Sequence, residues 1–190
     1  MGLIKKVYAF YCLRKWKHMH VGWGAQIINR PQIQIGRYFY CGRGARIEAV
    51  NIEGKRRSTK IVIKDHVSFS DFIHIGAVNY VEIGNHVLFG SKCYVTDHNH
   101  GIYSGNGKQS DPDTPPEARA LTVDKTVIIE DNVWLGDHVV VLPGVRIGKG
   151  SIIGSNAVVS RDIPPYSIAV GIPARVIKQW NPVCKQWEKV

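Results

Sequence analysis

The chain has 190 residues and a formal net charge of +10. That length allows one domain with a substantial core. It contains no apolar run of roughly 18 residues, which excludes a spanning helix. The charge points to anionic partners, whether nucleic acid, an acidic membrane face or a phosphorylated small molecule, without choosing among them. Cys12, Cys41, Cys93 and Cys184 are far apart and lack metal spacing. Cys41 and Cys93 fall at inward positions of the pattern described below, so they read as buried thiols of a reducing compartment.

In chain order, residues 1–20 set Lys5, Lys6, Arg14, Lys15 and Lys17 among Val7, Phe10, Tyr11 and Leu13. They lack the long apolar core and cleavage site of a secretory signal. A basic amphipathic helix is expected there, read either as a cap on the end of the coil or as a foot on a membrane surface. The expected location is the cytoplasm, with the inner membrane surface if the foot is real. From residue 21 a six-residue rhythm begins imperfectly and holds its phase at Ile35, Cys41 and Ile47. The segment 54–60 interrupts this as a basic loop, solvated or phosphate-binding. The rhythm resumes at Ile63, Phe69 and Ile75, slips by two residues near Tyr80, and continues at Ile83, Phe89 and Val95. Residues 97–125 are polar and aperiodic, an excursion loop of a length that is more often functional than idle.

The strongest pattern lies in 129–176. The sixfold positions there begin Ile129, Leu135, Val141, Ile147, Ile153 and Val159, aliphatic every time in a chain that is 44% hydrophobic. A period of six suits neither a helix nor a simple strand. It suits short strands joined by tight corners, a parallel β-helix of hexapeptides. Periodicity leaves its hand open, and the usual crossover rule favours a right-handed one. The domain is expected to span 21–176, followed by a polar tail, 177–190, in which Trp180 and Trp187 fold back as a second cap. The fold class is therefore all-β with short helical ends.

At the root of the loop stands Asp97-His98-Asn99-His100-Gly101. A rigid coil positions side chains and a loop admits substrate. A neutral imidazole there can take a proton from a hydroxyl, and a neighbouring carboxylate can fix its tautomer. The same residues also suit a hydrogen-bonded turn.

The stretches 153–165 and 171–176, with Asn132-Val133-Trp134-Leu135-Gly136, resemble the hexapeptide-repeat acyltransferases, in the maltose/galactoside O-acetyltransferase-like branch that includes surface-polysaccharide O-acetyltransferases. The resemblance is specific over about 63–178 and implies a left-handed β-helix and a homotrimer. It also implies acetyl-CoA bound between neighbouring subunits, with the acetyl group passed to a sugar or glycan hydroxyl in lipopolysaccharide or capsule biosynthesis. Counting without gaps from Ile83-Gly84, the family's catalytic histidine falls on His100, with His98 as rival. The acceptor side falls on Trp134, on Ser70 (where galactoside enzymes have asparagine) with Asp71 beside it, and on Asp97. The cofactor side falls on Gly136, Gly154, Ser155 and Ser160, with Arg175 and Lys178 placed for the phosphates. No metal is implied.

Two other readings compete. A zinc carbonic-anhydrase-like enzyme on the same scaffold needs three converging imidazoles, with His66, His86 and His138 at equivalent hexad places. A non-catalytic scaffold would use the charge, but the basic residues lack the aromatic interleaving of a nucleic-acid platform, so no nucleic acid is expected.

Overall fold

A computed structural model describes residues 18–52, 59–103, 109–122 and 124–190. The chain winds as a left-handed parallel β-helix of triangular section, each turn laying one short strand on each of three faces. The first face runs from His20–Val21 through Tyr40–Cys41, Ser68–Phe69, Leu88–Phe89, Trp134–Leu135 and Ile152–Ile153 to Ser167–Val170. The second stacks Gln26–Ile28, Arg46–Ala49, His74–Ala77, Tyr94–Thr96, Val140–Val141 and Val158–Val159. The third stacks Ile33–Ile35, Ile61–Ile63, Tyr80–Ile83, Thr126–Ile129 and Arg146–Ile147.

The register explains the period of six. Phe69 lies over Phe89, Leu135 and Ile153, and Ile75 over Val95, Val141 and Val159. Each of these side chains points inward and is fully buried. Within the core Phe39, Phe69 and Phe89 meet edge to face at 5.2 and 4.7 Å, the arrangement favoured by the ring quadrupole. Cys41 and Cys93 are buried in the same stack, and burial pushes their thiols up to about 12 and about 11.

The corners turn through left-handed backbone. His66, His86 and His138, the candidate zinc set, have φ of 59°, 56° and 60° and are corner residues of the kind that tolerates this conformation. His66 stacks on His86 at 4.6 Å, on the edge between third and first faces. His138 lies on the edge between first and second faces, so the three do not converge within the chain. Aspartates tie one coil to the next: Asp65, Asp71, Asp131 and Asp137 each accept the backbone N–H of Arg37, Arg43, Asn85 and Ser91, respectively.

The C-terminal end departs from the helical cap that the sequence suggested. Residues Arg175–Asn181 pair antiparallel with Ser167–Val170, and Gln186–Lys189 pairs antiparallel in turn. Trp180 lies opposite Trp187, their rings 5.5 Å apart. Alternation of half-buried and exposed residues along this hairpin suits a strand covering a sheet edge. The amphipathic segment expected at the other end falls mostly outside the described residues, as does most of the basic loop 54–60.

Candidate active site

The two-residue slip near Tyr80 is where the site begins. There the corner from the second to the third face is formed by Val78 and Asn79, and its backbone N–H groups would be stranded in the interior. Asp97, from the next coil, accepts all of them: Val78 N–H at 2.9 Å, Asn79 N–H at 2.7 Å and Tyr80 N–H at 2.7 Å. Its carboxylate is completely buried, and Oδ1 also receives the His98 ring, whose Nδ1 lies 2.9 Å away. Asp97, expected on the acceptor side, is thus sealed from any acceptor and instead fixes the imidazole. Thr96 brackets the same ring, its Oγ1 3.1 Å from Nδ1 and donating to the His98 carbonyl at 3.2 Å. With Nδ1–H directed at the carboxylate, the Nε2 lone pair is free, and Nε2 makes no hydrogen bond among the described residues. Only 12% of the His98 side chain is exposed.

One coil earlier on this edge lies Lys60, which the sequence placed at the end of a solvated loop. It is buried instead, its ammonium donating to the Val50 carbonyl and to Asn51 Oδ1. Burial pulls its pKa down, and the charge of Asp97 partly restores it. The corner therefore holds a buried cation near the buried anion, and neither was legible from spacing.

His100 is placed differently. It is exposed, its backbone bridges to Leu121, and its carbonyl accepts the Tyr103 hydroxyl at 2.6 Å. Its ring makes no hydrogen bond among the described residues. The loop base is zipped by Gly101 N–H to the Ala120 carbonyl at 2.9 Å and Thr122 N–H to the Asn99 carbonyl at 3.1 Å. Arg119 braces the span above, donating to the Thr114 and Pro112 carbonyls and to the Tyr103 hydroxyl. The excursion is therefore a built structure at its root, and His98 rather than His100 is the imidazole it holds in one orientation.

The remaining candidates divide between two edges. Ser160 follows Val159 as Thr96 follows Val95, and Val159 lies two coils along the stack from Val95. It is exposed on the edge of His98, roughly 10 Å away along the axis. Trp134 stands on the outer side of the first face, 50% exposed, and Ser70, Asp71, Gly136, Gly154 and Ser155 lie on the edge between first and second faces. Arg175 is exposed beside Ala174 where the hairpin turns back, and Lys178 is half-buried on the closing strand. One chain thus brings Asp97, His98, His100 and Ser160 to one edge and the other candidates elsewhere.

Three of the candidates have a plainer explanation in coil stacking. Asp71 accepts both Arg43 N–H at 3.0 Å and Arg43 Nε–H at 2.8 Å, the same corner task as Asp65, Asp131 and Asp137. A Cβ on Gly136 would lie 2.6 Å from Ser155 Oγ and 2.7 Å from Ser155 N, and one on Gly154 2.7 Å from Val170 Cγ1. The backbone of the next coil requires Gly136, and the Val170 side chain crowds Gly154, whatever ligand approaches. Gly136→Ala is accordingly expected to cost about 1–3 kcal/mol through overpacking, measured by urea denaturation without any ligand present.

Comparisons with known proteins agree with this architecture. The family model described as bacterial transferase hexapeptide (six repeats) matches residues 126–161. A protein of Escherichia coli K12 named as a lipopolysaccharide biosynthesis O-acetyl transferase, WbbJ, is 39% identical over 163 residues, covering 86% of this chain and 80% of that protein. The galactoside O-acetyltransferase of Lactococcus lactis is 41% identical over 99 residues, covering 52% of this chain and 43% of the relative. Among solved structures, AntD, an N-acyltransferase of Bacillus cereus in complex with dTDP and 3-hydroxybutyryl-CoA, superposes with a TM-score of 0.55 at 23% identity, covering 88% and 83% of the two chains. The similarity to WbbJ spans most of both chains, and with it the described coil belongs to the hexapeptide-repeat transferases: this protein is an acyltransferase of that family.

Proposed function

We propose that the protein transfers an acetyl group from acetyl-CoA to a sugar hydroxyl, with His98 as general base, in the biosynthesis of a lipopolysaccharide or other surface polysaccharide. The observation that carries this reading is the His98 ring, held through Nδ1 by the buried Asp97 carboxylate with Nε2 left free at the loop root. Nε2 takes the proton of the acceptor hydroxyl as its oxygen attacks the thioester carbonyl carbon. The tetrahedral intermediate collapses by breaking the C–S bond, and the CoA thiolate receives the proton back from the imidazolium. No covalent enzyme intermediate is needed. The relatives' names, WbbJ and the galactoside enzyme, support a sugar as acceptor. Exposed Ser160 with Arg161 beside it supports the His98 edge as the path of the CoA arm.

The working unit in this reading is a homotrimer. Leu88 and Trp134 project from the outer side of the first face at 46% and 50% exposure, in line with half-buried Ile152 and Ile168, and Tyr40 extends the row beyond Ser68. Such an apolar strip on a flat sheet favours a partner surface. A second copy whose His98 edge met this face would unite the candidates that one chain keeps apart. Light scattering at micromolar concentration is expected to give three times the 21.3 kDa chain mass; a monomer would overturn the shared site. The described residues include no helix long and apolar enough to cross a membrane, and cytoplasmic acetyl-CoA is the donor in this reading.

The direct test supplies acetyl-CoA with a panel of methyl glycosides and follows thiol release together with product mass. Sugar-dependent release of CoA with gain of one acetyl group by the sugar is expected. Release that ignores the sugar would overturn the acceptor assignment.

A further inference from the structure

His74 lies on the outer side of the second face, between Arg46 and Tyr94 in the cross-strand row, with its ring 5.1 Å from that of Tyr94. Its Nε2 is buried and has no hydrogen-bond partner among the described residues. Burial holds the imidazole below its ordinary pKa, and the charge of Arg46 adds to this, so the neutral ring dominates near pH 7. Arg46 itself is paired with Glu48. A neutral imidazole with one nitrogen left unsatisfied in a half-buried place is rare enough to require a partner.

The geometry around Gly76 says where that partner would sit. Gly76 occupies the next outward position on the strand, in the row Glu48, Gly76, Thr96. Among the described residues, and apart from its chain neighbours, a carbon placed at its missing Cβ would meet two atoms within 4 Å: His98 Cε1 at 3.5 Å and His74 Nε2 at 3.9 Å. The glycine therefore leaves an atom-sized notch bordered by two imidazoles, one belonging to His98 and one unused by any reaction step above. Unlike Gly136 and Gly154, nothing in the coil requires this glycine: its φ is not positive, and a methyl group would make ordinary contacts.

We propose that the notch over Gly76 is an acceptor subsite, in which His74 Nε2 holds the hydroxyl adjacent to the one that His98 deprotonates. The inference rests on His98 as base and names the acceptor class more closely: a sugar ring with two neighbouring free hydroxyls. A hydroxyl suits the site because it can donate to or accept from a neutral imidazole, whichever tautomer His74 adopts. Because Nε2 is buried and lies 3.9 Å from the Cβ position on Gly76, the subsite requires the His74 ring to turn toward the notch as the hydroxyl enters. Binding the second hydroxyl fixes the sugar in the orientation that presents the first to His98 Nε2, a gain in positioning rather than in acid–base chemistry.

The test uses the full chain, acetyl-CoA, and the methyl glycoside of the panel that is acetylated fastest, with its monodeoxy derivatives. Gly76→Ala fills the notch without strain, His74→Phe keeps the ring shape but removes the nitrogen, and His74→Gln returns an amide to about the same reach. Gly76→Ala and His74→Phe are expected to lower kcat/KM for the sugar about 10- to 100-fold, with the melting temperature and the KM for acetyl-CoA unchanged. His74→Gln should recover part of the loss. Wild type with the derivative lacking the neighbouring hydroxyl should show the same loss, and His74→Phe should then cost nothing further.

Folded Gly76→Ala and His74→Phe variants within threefold of wild type would overturn the subsite, as would losses that multiply with the deoxy substitution. His98→Ala in the same assay separates the two claims: undiminished turnover there removes His98 as base, while the response to filling the notch still decides the subsite. A wild-type enzyme that acetylates none of the glycosides overturns both.

Discussion

Replacing His98 with alanine is expected to lower kcat by a factor on the order of a hundred to ten thousand, the usual worth of a positioned general base. The acetyl-CoA KM should hold, because in this reading the imidazole meets the reacting hydroxyl and not the cofactor's phosphates. Stability should change little, since Asp97 keeps its three backbone donors when the ring is gone. His100→Ala serves as the control. His100 is exposed and its ring is unbonded among the described residues, so its loss is expected to leave turnover within a few fold. A gapless count along the chain favours His100, and the two substitutions therefore separate register from orientation. If His100→Ala abolishes transfer and His98→Ala does not, the loop must close so as to bring His100 inward, and the Asp97–His98 pair is only a turn.

The repeat was legible because the same inward position of each hexad stacks on itself through the core: Phe69, Phe89, Leu135 and Ile153 form a single file. Periodicity detects such a file directly. The irregular places hid the site. The slip at Tyr80 showed as a break in rhythm, but nothing local revealed that three N–H groups there converge on Asp97, 17 to 19 residues further on. Lys60 looked like the last member of a basic loop, and only the closing of the coil over it buries its ammonium. Gly136 and Gly154 meet close atoms of the next coil, Ser155 and Val170, and that stacking accounts for the glycines by itself. His74 and Gly76 passed as ordinary hexad members because their meaning depends on the place of His98, a coil away. The helical cap expected at the C-terminal end failed for a different reason. Short segments with alternating exposure serve a sheet edge, and the edge itself decides the pairing.

Asp97→Asn is expected to damage stability and turnover together, which distinguishes it from every other substitution at the site. The carboxylate accepts four bonds, from the N–H groups of Val78, Asn79 and Tyr80 and from His98 Nδ1, within a completely buried volume. An amide of the same shape has one accepting oxygen. Its NH2 must face two of these donors, either Val78 N–H and the imidazole on one side or the Asn79 and Tyr80 N–H groups on the other. A buried donor left without an acceptor costs about 1–3 kcal/mol, and removing the charge also takes away the attraction Asp97 exerts on the buried Lys60 ammonium, which keeps its bonds to Val50 and Asn51. A loss of about 2–5 kcal/mol in urea denaturation is therefore expected. The catalytic loss follows from the same atoms. If the NH2 turns toward His98, the ring must present Nδ1 as acceptor and carry its hydrogen on Nε2, where it cannot take a proton from the acceptor. If the NH2 turns the other way, the corner of Val78 and Asn79 loosens and the ring moves with it. Turnover should fall at least a hundredfold even at temperatures where the variant remains folded. A variant that loses stability but keeps wild-type turnover would make Asp97 a corner brace alone and leave the orientation of His98 to Thr96.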